Sequence, residues 1–553
     1  MVIGASDWEN PKPSPECILI GWSRQIMAFC WHVPQHMDGK FCVHPDDMRA
    51  WEARELRDWA GRGQMLMEVA GREVAMHILQ RHALAKDILV FCGQGNNGGD
   101  GLVCAHYLRQ AGCAVHIFAF DEGVVKTPDA MTMFSRVRDL PRVILKSASD
   151  AGQILAWCSR RNVLVVDAIF GTGYRPGRSA LMARVYQCIA ELGFPVISVD
   201  IASGIDASTG HRGNVSDTSP PRAMIASETI TFGAPKYGHF YGEGPGHTGE
   251  LFCVDIGLRA WPDLAQRTLV LADDDCDRLW SLERGPDAHK GRCGHVFVLG
   301  GSRAMPGAAR LAARSALRTG CGLVTIASMG EIPAPDEVMC ASIADAGGEV
   351  DFSALKDIFE RADVLVVGPG LGRTPQTVAI VKACADFQKC LVLDADALWA
   401  LTQIEASEVS FVAHDLFLTP HPGEAAHLCQ AAVSDILRAP GRFALDLSQR
   451  WQATVILKSH VTHVATWSVT NPRISLCPYP NAAMATAGMG DALAGMIGAL
   501  VAQSRGGALR RWLDTFGIAS LAVNLHSRAG RRSAGRLGSA LCAGDLIEAI
   551  HVG

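Results

Sequence analysis

The chain has 553 residues, 48% of them hydrophobic, and sets 51 Lys and Arg against 56 Asp and Glu. That length exceeds one ordinary domain, and that composition supports large cores, so global disorder is excluded. A net charge of −5 without any Lys/Arg block argues against nucleic-acid binding. No run of about 18 apolar residues marks a membrane span. The 18 cysteines are scattered, with no CxxC pair. In a long enzyme-like chain this predicts reduced thiols and a cytoplasmic location. Cys92, Cys104 and Cys113 read as small apolar residues rather than ligands or nucleophiles.

In chain order, residues 1–42 come first. Their acidic, Pro-rich start and Arg24 fit a secretory signal poorly, and they are expected to be an extension without a fold of its own. Strand-like runs follow at 88–91 (ILVF), 115–120 (VHIFAF), 163–170 (VLVVDAIF) and 195–201 (PVISVDI). A second series lies at 295–301, 323–327, 364–370, 390–396 and 454–458. Continuous apolar strands separated by helix-length segments predict parallel sheets covered on both faces. The fold class is α/β, twice. The rhythm breaks between 258 and 288, where a boundary near 275 is expected. The division is then 1–42, 43–270 and 280–553.

The first half carries CGQGNNGGDG at 92–101, between a strand and a helix. Gly93-x-Gly95-x-x-Gly98 matches the dinucleotide fingerprint, and Asp121 lies where a ribose-binding acid would. Asn96, Asn97 and Asp100 are more polar than that fingerprint needs, however. A Gly-rich turn without special role is the plain alternative. Two further strand ends carry Asp167 with Gly171-Thr172-Gly173, and Asp200 with Ser203-Gly204-Ile205-Asp206. Ligands bind beyond such strand ends in open α/β sheets. Asn97, Asp167 and Ser203 offer hard oxygen donors with a single carboxylate, which suits a monovalent cation. Capping and turn roles are the alternatives for Asp167 and Ser203. Lys236 reads equally as a substrate contact or a solvated surface lysine.

NNGGDG, DAIFGTG, DIASGID and TFGAPKYG occur in that order, with LMEVAG at 66–71. From about Phe41 to Leu258 the chain resembles the NAD(P)H-hydrate epimerase family. The resemblance implies a Rossmann-like three-layer sandwich and a potassium ion held by Asn97, Asp167 and Ser203. It places the hydrated nucleotide against Asn96, Asn97, Gly98, Gly99 and Asp100. It adds Gly171, Thr172, Gly173, Tyr174, Arg175, Pro176, Gly177 and Asp200. Asp167 is the candidate acid/base, although an anion beside a cation is a weakened base. Val69 and Ala202 depart from the family pattern, and Val69 is expected to alter the pocket wall.

In the second half, Gly488-Met489-Gly490-Asp491 opens a helix of small and apolar residues. A helix N-terminus favours an anion, and Asp491 beside it can take a hydroxyl proton as a phosphoryl group arrives. An acidic helix cap is the alternative. No GxxxxGK[ST] is present. GxGD resembles the ribokinase-like superfamily, and HKGRCGHVFVLGGS, PGAARLAARSALRTGCGLV, GPGLG, DADAL, TPHPGEAAHL and NAAMATAGMGD together resemble the ADP-dependent NAD(P)H-hydrate dehydratase family, over about 280–550. The resemblance implies a ribokinase-like three-layer sandwich, with Ala308, Gly372, His421 and Asp491 against the hydrated nucleotide. Lys458, Ser459, His460, Val461, Thr462 and Gly490 would line the ADP site, and Asp491 would be the base. Magnesium is expected with the phosphates. Ser459, where the family carries glycine, is expected to crowd the adenosine side. His421 has a purely structural alternative.

The combined expectation is a bifunctional repair enzyme acting on small molecules, hydrated NADH and NADPH, with neither nucleic acid nor membrane as partner. A homo-oligomer is compatible with it. A ribokinase-like kinase, a catalytically inactive nucleotide-binding protein and a dehydrogenase are the rival readings.

Overall fold

A computed structural model describes residues 31–32, 41–57, 61–85, 87–120, 125–154, 163–175, 179–212, 223–259, 268–270, 280, 289–405, 407–411, 415–505 and 513–550. Among them are nineteen strands. The first ten are β1 (Trp31–His32), β2 (Phe41–Cys42), β3 (Asp87–Cys92), β4 (Ala114–Phe120), β5 (Arg142–Leu145), β6 (Val163–Ala168), β7 (Val196–Val199), β8 (Glu228–Phe232), β9 (Glu250–Val254) and β10 (Thr268–Val270). The others are β11 (His295–Leu299), β12 (Leu323–Ser328), β13 (Met339–Ser342), β14 (Val364–Val367), β15 (Cys390–Leu393), β16 (Asp415–Leu418), β17 (Thr454–Leu457), β18 (His463–Thr466) and β19 (Arg473–Leu476).

The first sheet runs β1-β9-β8-β7-β6-β3-β4-β5, and every pairing in it is parallel. Its centre shows why the sequence reads as unbroken apolar runs. Along β3, Ile88, Val90 and Cys92 enter one core cluster, and Leu89 and Phe91 enter the other. A strand alternates its side chains, so burial on both faces demands apolar residues at every position. The second sheet obeys the same rule. Val296 and Val298 of β11 face one cluster, while Phe297 and Leu299 face the other. Its order is β13-β12-β11-β14-β15-β16-β17-β18-β19-β10-β2. It is parallel from β13 to β17 and antiparallel at β17-β18, β18-β19 and β10-β2.

Both sheets reverse their winding beside one strand. The chain leaves β3 toward β4 and β5, then returns on the other side with β6 to β9. Likewise it leaves β11 toward β12 and β13, then returns with β14 onward. Loops diverge at such switch points and leave a crevice, so each half has one site dictated by topology.

Two short strands cross between the halves. β2 lies between β1 and β3 in sequence and β10 follows β9, yet both extend the edge of the second sheet beyond β19. An uncovered edge exposes unpaired N–H and C=O groups, and these strands cover it. With β1 on the first sheet and β2 on the second, residues 31–32 and 41–42 join the fold, contrary to the expectation for 1–42. The cluster of Cys42, Phe240, Tyr241, Leu251, Val270, Val461 and Leu476 then ties the two halves together. The expected boundary near 275 lies outside the described residues, as do Asp121, Pro176 and Gly177. Cys92 and Cys104 are buried in the first core, and burial pushes the Cys92 thiol up to about 12. No described helix is long and apolar enough to cross a membrane.

Candidate active sites

The first crevice is a cavity of about 1140 Å3 at the carboxyl ends of β3, β6 and β7. Asn96, Asn97 and Asp100 line it from the start of the helix Asn96–Gln110. Gly171, Thr172, Gly173, Tyr174 and Arg175 line it after β6, and Asp200 after β7. The motifs spread along the sequence therefore meet at one place. Gly98 and Gly99 are buried and do not line it. Gly98 serves the turn: a Cβ there would lie 1.9 Å from the Gly93 carbonyl oxygen.

Asp167 lies beneath the cavity, 0% exposed and outside its lining. It accepts from Ser203 Oγ at 2.6 Å, Ser203 N at 2.8 Å, Ser198 Oγ at 2.9 Å and Ile169 N at 3.4 Å. Burial raises its carboxyl, and the serine hydrogen bonds oppose that rise. Ser203 also accepts from Phe170 N at 3.0 Å. Asn97 sits against Gly171 and is 9% exposed, with both side-chain polar atoms buried and unpartnered. Asn97, Asp167 and Ser203 thus converge under the Phe170–Gly171 turn.

Lys236 is 1% exposed, which removes the surface-lysine reading. Its ammonium donates to Asp200 Oδ1 at 2.6 Å, Thr231 Oγ1 at 2.8 Å and the Phe232 carbonyl at 3.0 Å, so its three protons are satisfied. Burial would raise the Asp200 carboxyl, but Lys236 and Thr231 hold it below the usual range. Asp200 takes a positive φ of 68°, sparsely populated backbone for a residue other than glycine. His239 accepts from Lys236 N at Nδ1, which leaves the Nε2 proton for the Asp200 carbonyl at 2.9 Å. Burial lowers this imidazole to about 4.

The helix Pro45–Arg57 carries no motif, yet it contributes Arg49 and Glu52 to the cavity wall. Val69 is not part of that wall, contrary to expectation; it packs on the neighbouring core. Ala202 is buried in the opposite core.

In the second half, Asp491 stands in the first turn of the helix Met489–Arg505. Burial and Asp394 push its carboxyl up to about 6 against the pull of Lys458. Lys458 donates to Asp394 Oδ1 at 2.7 Å, and Thr419 Oγ1 donates to the same oxygen at 2.6 Å. A Cβ on Gly490 would stand 3.0 Å from Lys458 Nζ, so the helix start and the ammonium face one another. Gly370 and Gly372 take φ of 65° and 92°, and a Cβ on Gly370 would lie 3.0 Å from Ala308 Cβ. Gly372 N donates to Asp396 Oδ2 at 2.8 Å. Ala308, Gly372, Lys458, Gly490 and Asp491 therefore surround the β11/β14 crevice.

His421 caps the helix Pro422–Cys429, its Nδ1 accepting from Gly423 N at 3.0 Å and Glu424 N at 3.3 Å. It has a structural task and an exposed ring at once. Glu424 returns the cap by accepting from His421 N at 2.8 Å, and burial pushes its carboxyl up to about 7. The Lys458–Thr462 loop turns partly toward the first half. Val461 is buried in the joining cluster, and the His460 imidazole bonds the Gly242 backbone. Ser459 Oγ donates to the Val461 carbonyl at 2.6 Å, bracing its own loop.

The sequence alone assigns no role to Glu52 and Arg49, nor to Asp394, Asp396, Thr419 and Glu424, although these last four lie within DADAL and TPHPGEAAHL. Asp394 and Asp396 were visible as carboxylates at the end of an apolar strand. Glu52 had no signal beyond a charge on an amphipathic helix.

The family described as NAD(P)H-hydrate dehydratase matches residues 296–551, and that described as YjeF-related protein N-terminus matches 63–238. A bifunctional NAD(P)H-hydrate repair enzyme of Moorella thermoacetica is 34% identical over 510 residues, covering 88% of this chain and 91% of that protein. One of Escherichia coli K12 is 31% identical over 517 residues, covering 92% and 93%. One of Leishmania major is 30% identical over 511 residues, covering 88% of each. Among solved structures, a ribokinase-like superfamily protein from Enterococcus faecalis aligns over 51% of this chain and 93% of its own, with TM-score 0.44 and 24% identity. Identity sustained across both halves of such relatives establishes that the chain belongs to the bifunctional NAD(P)H-hydrate repair enzyme family.

Proposed function

We propose that residues 43–270 interconvert the R and S epimers of hydrated NADH and NADPH. Residues 280–553 then dehydrate the S form with ADP, releasing AMP and phosphate. One observation carries the reading: Asp491, Lys458 and Asp394 converge at the start of the helix Met489–Arg505 beside Gly490.

In the second site Asp491 takes the proton from the hydroxyl on the hydrated ring carbon. The freed oxygen attacks the terminal phosphorus of ADP, and AMP departs. Lys458 and the N–H groups at the helix start meet the charge of the moving phosphoryl group. Asp394 and Thr419 keep the ammonium in place. The ring nitrogen then expels phosphate, and loss of a proton from the neighbouring carbon restores the double bond. Phosphate leaves far more readily than hydroxide, which is why a nucleotide is consumed.

Two ions belong to this reading. Asn97, Asp167 and Ser203 fit potassium: one carboxylate joins two neutral oxygen donors, and the Asn97 side chain is buried without a protein partner. Bound there, the ion supplies fixed positive charge beside an anionic substrate. Magnesium would arrive with the ADP phosphates. Among the described residues no three His, Cys, Asp or Glu side chains form a cage for it.

The test mixes the purified protein with an epimeric mixture of hydrated NADH, ADP, Mg2+ and K+, and follows the return of reduced-nicotinamide absorbance. Full recovery is expected. Recovery that stalls with one epimer left refutes the first assignment alone. No recovery with either ADP or ATP refutes both.

A further inference from the structure

The first site needs a group that can give and take a proton where the substrate lies. Asp167 is beneath the cavity with both oxygens hydrogen-bonded. Asp200 lines the cavity but is committed to Lys236. Three carboxyls remain on the wall: Asp129 lies against Gly63, away from Asp200, whereas the other two, Glu52 and Asp100, both stand within electrostatic reach of Asp200. Neither accepts a hydrogen bond from any described residue.

Glu52 is held there deliberately. On its helix, Trp51 Nε1 donates to the Arg259 carbonyl at 2.9 Å, and Arg49 Nη1 donates to the Thr172 carbonyl at 3.2 Å. Met48 and Trp51 are buried against Val43 and Ala234. The helix is thus pinned on both sides of Glu52, across the mouth of the crevice. Asp100 faces it from the helix Asn96–Gln110. Between these elements, the orphaned and nine-tenths buried amide of Asn97 marks the same cavity as built for a ligand.

We propose that Glu52 and Asp100 form the acid/base pair of the epimerisation; the inference rests on the epimerase reading of this half. One carboxyl, protonated, gives its proton to the hydroxyl oxygen as the carbon–oxygen bond breaks. The lone pair of the ring nitrogen forms a carbon–nitrogen double bond, and water is released. Water then adds to the opposite face of that iminium carbon, and the ionised carboxyl of the pair takes its proton. One proton has moved between the partners, and nothing else is consumed. The reverse epimerisation exchanges their roles, as microscopic reversibility requires.

The electrostatics agree. Burial raises both carboxyls, and Asp200 raises each further. Glu52 raises Asp100 as well, so the pair favours sharing a single proton. Lys236 opposes the rise in both, and Arg49 opposes it for Glu52 alone, which keeps that member of the pair the more readily ionised.

The experiment uses the full chain and R-hydrated NADH, with conversion to the S form followed by chromatography in labelled water. Glu52→Gln and Asp100→Asn are each expected to lose at least about 100-fold in epimerisation kcat. KM should stay within about threefold for Glu52→Gln, and its pH profile should lose one limb. ADP-dependent dehydration of the S form should be unchanged in both variants. Glu52→Asp, which keeps the carboxyl, should recover part of the rate, and the wild-type product should carry the label on its hydroxyl. Epimerisation by Glu52→Gln within threefold of wild type, or an equal loss in Glu52→Asp, overturns the assignment. Absence of label in the product also overturns it. A wild-type protein that leaves the R form untouched overturns the epimerase reading itself.

Discussion

Asp491→Asn should abolish ADP-dependent dehydration while making the protein more stable, and the second effect depends on pH. Burial with Asp394 lifts the Asp491 carboxyl from an ordinary 3.8 to about 6. A rise of that size places roughly 3 kcal/mol on the ionised form at neutral pH. The side chain is partly open to the site, so screening reduces this to about 1–2 kcal/mol. The sign follows from the direction. A carboxyl raised in the folded state favours the fold when protonated. Its penalty is absent below pH 3.8, grows toward pH 6 and is complete above it. Asparagine never ionises, so the variant gains stability only where the wild type is charged. For a domain of this size the expected rise in Tm at pH 8 is about 2–8 °C, with almost none at pH 4. Lys458 keeps Asp394 as its closer partner and offsets little. Thermal denaturation at both pH values, beside an ADP-dependent turnover assay, measures the two effects. No stabilisation at pH 8, or equal stabilisation at both pH values, would refute the electrostatic account of this residue.

Wild-type dehydration should fall as pH drops below about 6, because Asp491 must be ionised to accept a proton; a rate unchanged at pH 5 contradicts its role as base. Lys236→Met strands the buried Asp200 carboxylate and should cost about 3–5 kcal/mol in denaturant unfolding, with much of the loss recovered in Lys236→Met/Asp200→Asn. Gly98→Ala drives a methyl into the Gly93 carbonyl and should cost about 1–3 kcal/mol, abolishing epimerisation before dehydration. Tyr241 stacks on Tyr237 with centroids 5.1 Å apart and meets His463 edge-on at 4.8 Å. Removing this ring in Tyr241→Ala should split a single calorimetric unfolding transition into two.

Some of this molecule is legible in its residues one after another. The apolar runs at 88–91 and 296–299 read as strands buried on both faces, and in the fold each successive side chain does enter a different core. The glycines of 93–101 and 368–372 marked turns at strand ends, and such ends are where α/β sheets bind ligands. Shorter strands such as 415–418 escaped notice, since four residues carry too little periodicity to separate them from a helix.

What the sequence by itself determined was local: which runs form strands, which loops close on glycine, and which carboxylates stand at strand ends. Tertiary packing alone decided what each polar group can do. Asp167, Asp200, Asp100 and Glu52 are four carboxyls with similar intrinsic acidity. Folding buries one under serines, pairs one with Lys236, and leaves two facing each other's charge across a cavity. It also sends β2 and β10 to the far sheet and turns Val461 toward Tyr241. Burial and the identity of the nearest charge set a group's chemistry, and both are properties of residues brought together from distant parts of the chain.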